Sequence, residues 1–310
     1  MKQINMTDNN FIIQFKKSNP FFAYLITGLL FAILWASAST ATKFGLTVVE
    51  PFVLSVSRFF IAGAIMLTIA HLLLKKRIPA ASEWKQLAIY GLLNISIYLG
   101  MFVIAMKKVS PGLGSLAVAS NPVLISLIAA IFFNHKVTFR HLFSLLFCIT
   151  GVIIASFPLI QNNLVTKDGL IILFVSMLAY SAAAIYFSKV KWNDLHILTI
   201  NGWQTIFGGI FLLPVLLFNF HPQANQYNTV FWQSVLWLAI PVSIVAVSLW
   251  LHLIRQNPVT AAYWLFLCPI VGFVIARLMM NEPITYYTII GVILVIGGLV
   301  MIQKRVGKPN

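Results

Sequence analysis

The chain is built from apolar runs of roughly 20 residues separated by short polar breaks, and each run is long enough to cross about 30 Å of hydrocarbon. Lipid offers no partner for a backbone N–H or C=O, so a crossing segment must satisfy its own groups as a helix. The runs fall at about 21–42, 51–74, 84–106, 110–134, 138–160, 169–190, 195–219, 230–254, 258–281 and 284–303. They predict an all-α integral membrane protein of ten transmembrane helices. Composition agrees: of 310 residues 60% are hydrophobic and only 9% charged, too little charge to clothe a soluble surface. The formal charge of +15 would point to nucleic acid in a soluble protein, but here it reads as a topology signal.

That signal is lopsided. With the N-terminus inside and the runs alternating, 15 Lys and Arg fall on the inner side, among them Lys75, Lys76, Arg77, Lys85, Lys189 and Lys191. Only Lys43, Lys107, Lys108 and Lys167 fall outside. The rule that positive charge stays on the cytoplasmic side then places both termini there, as tails over 1–20 and 304–310. Ala36-Ser37-Ala38 resembles a signal-peptidase site, which leaves a cleaved signal peptide as an alternative. The duplication described next argues against it, because the first run has a partner in the second half.

Residues 110–154 repeat at 257–301 with a constant offset of 147 and no gap. Pro111 falls on Pro258, Pro122 on Pro269, Asn134 on Asn281, Thr138 on Thr285 and Gly151 on Gly298. Apolar similarity by chance would not set two prolines, an Asn and a late glycine in step. Trp35-Ala36-Ser37-Ala38 likewise answers Tyr180-Ser181-Ala182-Ala183. Ten runs therefore divide into five plus five, over 21–160 and 168–303. An odd number per half makes the second repeat enter from the opposite side, so the repeats are inverted. That architecture suits alternating access, because each copy can take the conformation of the other and give inward-open and outward-open states of similar energy.

Runs four and nine begin with small residues, Pro111-Gly112-Leu113-Gly114-Ser115 and Pro258-Val259-Thr260-Ala261-Ala262. Small residues let helix backbones approach closely, either as static packing or as a sliding gate. Pro122 and Pro269 lie near mid-run, where each removes a backbone hydrogen bond and invites a kink. Pro111, Pro122, Pro258 and Pro269 are thus the expected hinge or gate positions.

No catalytic constellation, metal cluster or phosphate loop is legible, so the chain reads as no enzyme, with no cofactor and no metal. Cys148 and Cys268 sit inside apolar runs and read as core packing. The six acids, Asp8, Glu50, Glu83, Asp168, Asp194 and Glu282, all lie in tails, loops or run ends. His71 and His252 fall near the inner ends of runs two and eight. With no mid-membrane acid, facilitated diffusion or exchange is as well supported as proton coupling. Arg58 is the costly residue, roughly 10 Å below the outer end of run two at about 1.5 Å per residue. Facing lipid it would cost on the order of 2–3 kcal/mol, so it should face inward. There it either bonds helix carbonyls or Glu50, or meets an anionic group on a substrate. Arg277 can snorkel, and Trp84, Trp192 and Trp232 read as interfacial anchors. Trp35, Ser39, Asn94, Tyr98, Asn121, Tyr180, Trp203, Gln204, Tyr263 and Trp264 are the mid-run polar and aromatic candidates for a cavity wall. Taken singly, each could equally be an interhelix contact.

Leu34-Trp35-Ala36-Ser37 leading to Lys43, Pro51 with Arg58, Pro111 through Pro122, the break at 132–138, and Pro258 through Pro269 to Asn281-Glu282-Pro283 and Gly298 carry a family likeness. Over about residues 20–303 the chain resembles the drug/metabolite transporter superfamily, specifically its ten-helix EamA-type carriers. One position departs: His135 stands where a Glu is common, opposite Glu282. The resemblance implies two EamA units and transport of small organic solutes, often export of amino acids or related metabolites. The expected protein is a multi-pass carrier of a bacterial inner membrane, monomeric or homodimeric. Its partners are a small-molecule substrate and the lipid bilayer, with no nucleic acid. Export or exchange of aromatic or large neutral amino acids is the leading expectation. Uptake of another metabolite, such as a nucleoside-like cofactor, and a non-transporting membrane subunit are the alternatives.

Overall fold

The computed structural model describes residues 20–132, 138–256, 261 and 263–303. Among the described residues all regular elements are helical. Eight helices are long and apolar enough to cross a membrane: α1 (Phe22–Gly45), α2 (Pro51–Leu73), α3 (Ala81–Lys108), α4 (Pro111–Ile131), α5 (Phe139–Gln161), α6 (Lys167–Lys189), α7 (Ile197–Phe218) and α8 (Thr229–Leu253). Two shorter apolar helices follow, α9 (Leu267–Met280) and α10 (Tyr286–Ile302). Pro258 and the Asn134–His135 pair lie outside the described residues.

The helices begin where the sequence supplies starters. Pro51 and Pro111 stand in first turns, where a missing N–H costs nothing. Ser110, Thr166 and Asn228 accept from the amides of Leu113, Gly169 and Phe231 at 3.4, 3.2 and 3.2 Å. Large apolar side chains point outward, Phe139 at 79% exposure and Phe218 at 91%. Water would penalise that surface, and hydrocarbon favours it. Inside, hydroxyls are returned to their own helices, as Ser176 to the Leu173 carbonyl and Ser181 to that of Met177.

Helix α2 packs on α7, α4 on α9 and α5 on α10; α1 packs on α8 and α9, and α6 on α3 and α4. Exchanging α1–α5 with α6–α10 maps these principal pairings onto one another. Cys148 and Cys268 are buried and free. Arg277 is exposed on α9.

Polar tethers tie the loops at both ends of the bundle. At one end Arg77 holds Glu83 at 2.8 Å and Asp194 at 2.7 Å, joining the α2–α3 and α6–α7 loops. The Glu83 and Asp194 hydrogen bonds raise the Arg77 pKa, and Arg77 lowers that of Asp194. At the other end Glu50 accepts from the His221 backbone N–H at 3.0 Å and from Asn225 Nδ2 at 2.8 Å, joining the α1–α2 and α7–α8 loops. The His221 amide is the main reason the Glu50 carboxyl falls from 4.5 to about 2. Lys108 pairs with Asp168 at the same end. The Arg77 and Glu50 tethers occupy equivalent loops of the two halves.

Candidate functional site

A cavity of about 280 Å³ lies among α1, α2, α3, α4, α6, α7 and α8. Of the expected wall residues, Trp35, Ser39, Arg58, Asn94, Tyr98, Tyr180 and Gln204 line it. Its lining runs along α3 from Phe102 to Tyr90 and reaches Ile197, the first residue of α7. The cavity therefore extends from mid-bundle toward the end that carries the Arg77 tether.

Arg58 sits at the deep part of this space. Its Nη2 donates to Ser243 Oγ at 3.2 Å, and its guanidinium carbon stands 5.4 Å from the Phe59 ring centroid. Its Nε is buried without a hydrogen-bond partner. Of the alternatives for Arg58, the link to Glu50 is not formed, and Glu50 is held instead by His221 and Asn225. The Tyr98 and Tyr180 rings lie 4.8 Å apart at 57° and form an aromatic wall. Asn94 Nδ2 donates to Gln204 Oε1 at 3.2 Å, and Gln204 Nε2 to Asn201 Oδ1 at 2.9 Å, giving a chain of three amides along the cavity.

Two helices are locally wound as π-helix where they meet the cavity, over Leu92–Leu99 and Leu238–Ala246. These segments correspond under the repeat. They carry Asn94 and Tyr98 on one side, Val242 and Ser243 on the other. Wider winding shifts side chains round the axis and is frequent at functional sites. Ser243 Oγ donates to the Leu238 carbonyl at 2.8 Å, five residues back, and so fixes the oxygen that receives Arg58. Pro241, two residues earlier, has no backbone N–H to give and so removes one donor within this winding.

Four expected wall residues stand elsewhere. Asn121 is buried at the α4 break, its Oδ1 unpartnered. Trp203 packs edge-on to Trp84 at 4.7 Å and donates to His71 Nε2 at 3.3 Å. Tyr263 is 54% exposed. Trp264 turns toward α1, 6.0 Å from the Tyr24 ring. Trp84 and Trp192, both part-buried at helix ends, pack on neighbouring rings, and Trp192 donates to the Phe187 carbonyl at 2.9 Å. Sequence reasoning passed over Asn201, Ser243 and Tyr90. Asn201 was signalled by lying three residues from Gln204 on one helical face. Ser243 was signalled as a hydroxyl just after Pro241.

The mid-run prolines do mark breaks. α4 is interrupted at Ser120, two residues before Pro122, and a turn at 265–266 precedes Pro269. Pro111 instead starts a helix. Across the break region, Ser115 Oγ donates to the Cys268 carbonyl at 3.0 Å and joins α4 to α9.

At the end of the bundle away from the Arg77 tether, a polar link between α9 and α4 is built on the repeated Asn. Asn281 takes a left-handed conformation (φ 55°), ends α9, and places the Glu282 N–H on the Ala276 carbonyl at 3.3 Å. This turn aims Glu282 at the start of α4. Its carboxylate accepts from Ser110 Oγ at 2.6 Å and from the Gly112 N–H at 2.9 Å. Beside it, the Lys43 ammonium donates to the Met106 and Val109 carbonyls, both at 2.9 Å, at the end of α3.

A bundle of broken helices around a polar-headed, aromatic-walled cavity has the geometry of a solute carrier, and comparison with known proteins agrees. The EamA-like transporter family matches the chain twice, over residues 22–157 and 167–303. An uncharacterized transporter of Archaeoglobus fulgidus is 25% identical over 278 residues, covering 87% of this chain and 95% of its own. Protein PecM of Dickeya dadantii is 24% identical, over 87% of this chain and 89% of its own. A probable terminal-alkyne amino-acid exporter of Streptantibioticus cattleyicolor is 25% identical, over 89% and 92%. One crystal structure shares the fold with a TM-score of 0.62 at 16% identity, over 93% of this chain and 99% of that one. The chain belongs to the EamA-like transporter family.

Proposed function

We propose that this chain is an alternating-access carrier that exports or exchanges small amphipathic organic solutes across a bacterial inner membrane. Amino acids and related compounds with aromatic or large apolar bodies are the favoured cargo. On this reading the chain has ten membrane spans in two inverted five-helix repeats, the ninth beginning before the described start of α9, and both termini are cytoplasmic. The observation that carries the reading is the cavity itself: Arg58 and an amide chain for a polar head, Tyr98, Tyr180 and Trp35 for an apolar body. Its extension toward the Arg77 end, away from the Glu282 link, corresponds to an inward-facing state. The amino-acid exporter relative supports the cargo class.

Counterflow in proteoliposomes tests this. Vesicles preloaded with unlabelled amino acid are expected to accumulate a labelled aromatic amino acid transiently against its gradient. Folded protein that shows no counterflow with amino acids or with other apolar-bodied metabolites would refute the carrier reading.

A further inference from the structure

Arg58 is the single charged side chain among the described residues that line the cavity. The acids of the chain are spent elsewhere. Glu50 is held by His221 and Asn225, Glu83 and Asp194 by Arg77, and Asp168 by Lys108. Glu282 is held by Ser110 and Gly112. Asp8 lies outside the described residues. Arg58 thus has no carboxylate counter-charge among the described residues, and an ammonium group inside the cavity would find none either. A buried guanidinium with one neutral acceptor and an unpartnered Nε retains donors in a planar fork, the geometry that matches a carboxylate. A cation brought into the same space would meet repulsion from Arg58 at low dielectric.

We propose that the cavity takes an organic anion: a carboxylate on an aromatic or otherwise apolar body, held by Arg58, with an α-amino group contributing nothing to recognition. This rests on the carrier reading and shifts its favoured cargo from amino acids to apolar-bodied carboxylates, with or without an α-amino group. The body lies against Tyr98 and Tyr180, and the amides of Asn94, Asn201 and Gln204 take neutral polar substituents.

The test uses probes that share one body: 3-phenylpropanoate, phenylalanine, 3-phenylpropanamide and phenethylamine, with indole-3-acetate and hexanoate as further carboxylates. Binding is read as ligand-induced thermal stabilisation of the purified full chain, and transport as competition in counterflow. 3-Phenylpropanoate is expected to match or exceed phenylalanine, and the amide and amine to bind at least tenfold more weakly. Arg58→Gln is expected to abolish the difference between acid and amide, and Arg58→Lys to retain part of it. If Arg58→Gln does not fold, the acid–amide comparison on the unaltered chain decides. The proposal is overturned if phenylalanine binds and 3-phenylpropanoate does not, if the amine binds as well as the acid, or if no carboxylate of the panel binds. Equal loss of acid and amide in Arg58→Gln overturns it too. Carboxylate binding without counterflow would sink the carrier reading and keep the anion site. Counterflow of zwitterion or amine alone would do the reverse.

Discussion

Gly291→Ala is expected to loosen the crossing of α5 and α10. A Cβ on Gly291 would lie 2.4 Å from the Gly151 carbonyl oxygen and 2.7 Å from Ala155 Cβ. A Cβ on Gly151 would likewise lie 2.6 Å from the Gly291 carbonyl oxygen. Ordinary contact begins near 3.4 Å, and the obstructing atom is backbone, which cannot swing aside as a side chain does. The helices must therefore part by about 1 Å, a gap that forfeits up to about half of each contact's dispersion energy. The contacts at stake include Cys148, Ala155, Val295 and Leu299, all at most 2% exposed. Lipid supplies no hydrophobic drive between helices, so packing of this kind is the main cohesive term. The cost is expected at ~1–3 kcal/mol. Gly297→Ala is the control, because its Cβ would meet only Phe147 Cδ2 at 3.7 Å. It should be neutral or gain up to ~1 kcal/mol of helix propensity. Thermal unfolding in detergent, followed by helical circular dichroism, separates the two. A Gly291→Ala melting temperature at or above that of the unaltered protein, or equal losses in both variants, would refute the close-crossing argument.

Glu282→Ala is expected to free the Gly112 N–H and Ser110 Oγ. Bonds to a charged acceptor are worth roughly 1.5–3 kcal/mol each, so amide hydrogen exchange at the start of α4 should rise tenfold or more; unchanged exchange would contradict the α9–α4 link. Because the folded Glu50 carboxyl titrates at about 2 rather than 4.5, its stabilising contribution is present above 4.5 and lost as pH falls toward 2. Thermal stability over that interval should fall less steeply in Glu50→Gln, and an identical slope would contradict the His221–Glu50 tether. The cavity wall holds no carboxylate or imidazole among the described residues, so an imposed pH gradient is expected to change counterflow little. Strong acceleration by a proton gradient would show coupling through a group outside that wall.

The sequence carries depth well and direction poorly. The position of Arg58 within its run fixes it below the membrane surface, and desolvation cost alone turns it inward. Tyr98, Tyr180, Asn94 and Gln204 are legible as mid-depth polar groups for the same reason. Rotation about the helix axis is not legible in a helix that is apolar all round. Trp203 and Gln204 are adjacent and point about 100° apart. Gln204 meets the cavity and Trp203 meets Trp84. Tyr263 and Trp264 diverge in the same way, one outward and one onto α1. The repeated Asn at 281 reads as a marker of duplication, and its reason appears only in the backbone, where a left-handed turn aims Glu282 across to α4. The π-helical windings are the least legible feature, since hydrogen-bond register leaves no periodic trace over eight or nine residues. One of them carries Ser243, the oxygen that receives Arg58.

The central claim is that one cavity opens to either side in turn. Cysteine placed at Ala38, on the cavity wall and only part-buried, tests it directly, because the two native cysteines are buried. Labelling with a membrane-impermeant thiol reagent is measured from each side of sealed vesicles, with and without a transported solute. The account predicts labelling from the Arg77 side in the resting protein and from the Glu282 side when solute drives turnover, with no state reachable from both. Labelling from one side under every condition, or from both sides at once, would contradict alternating access.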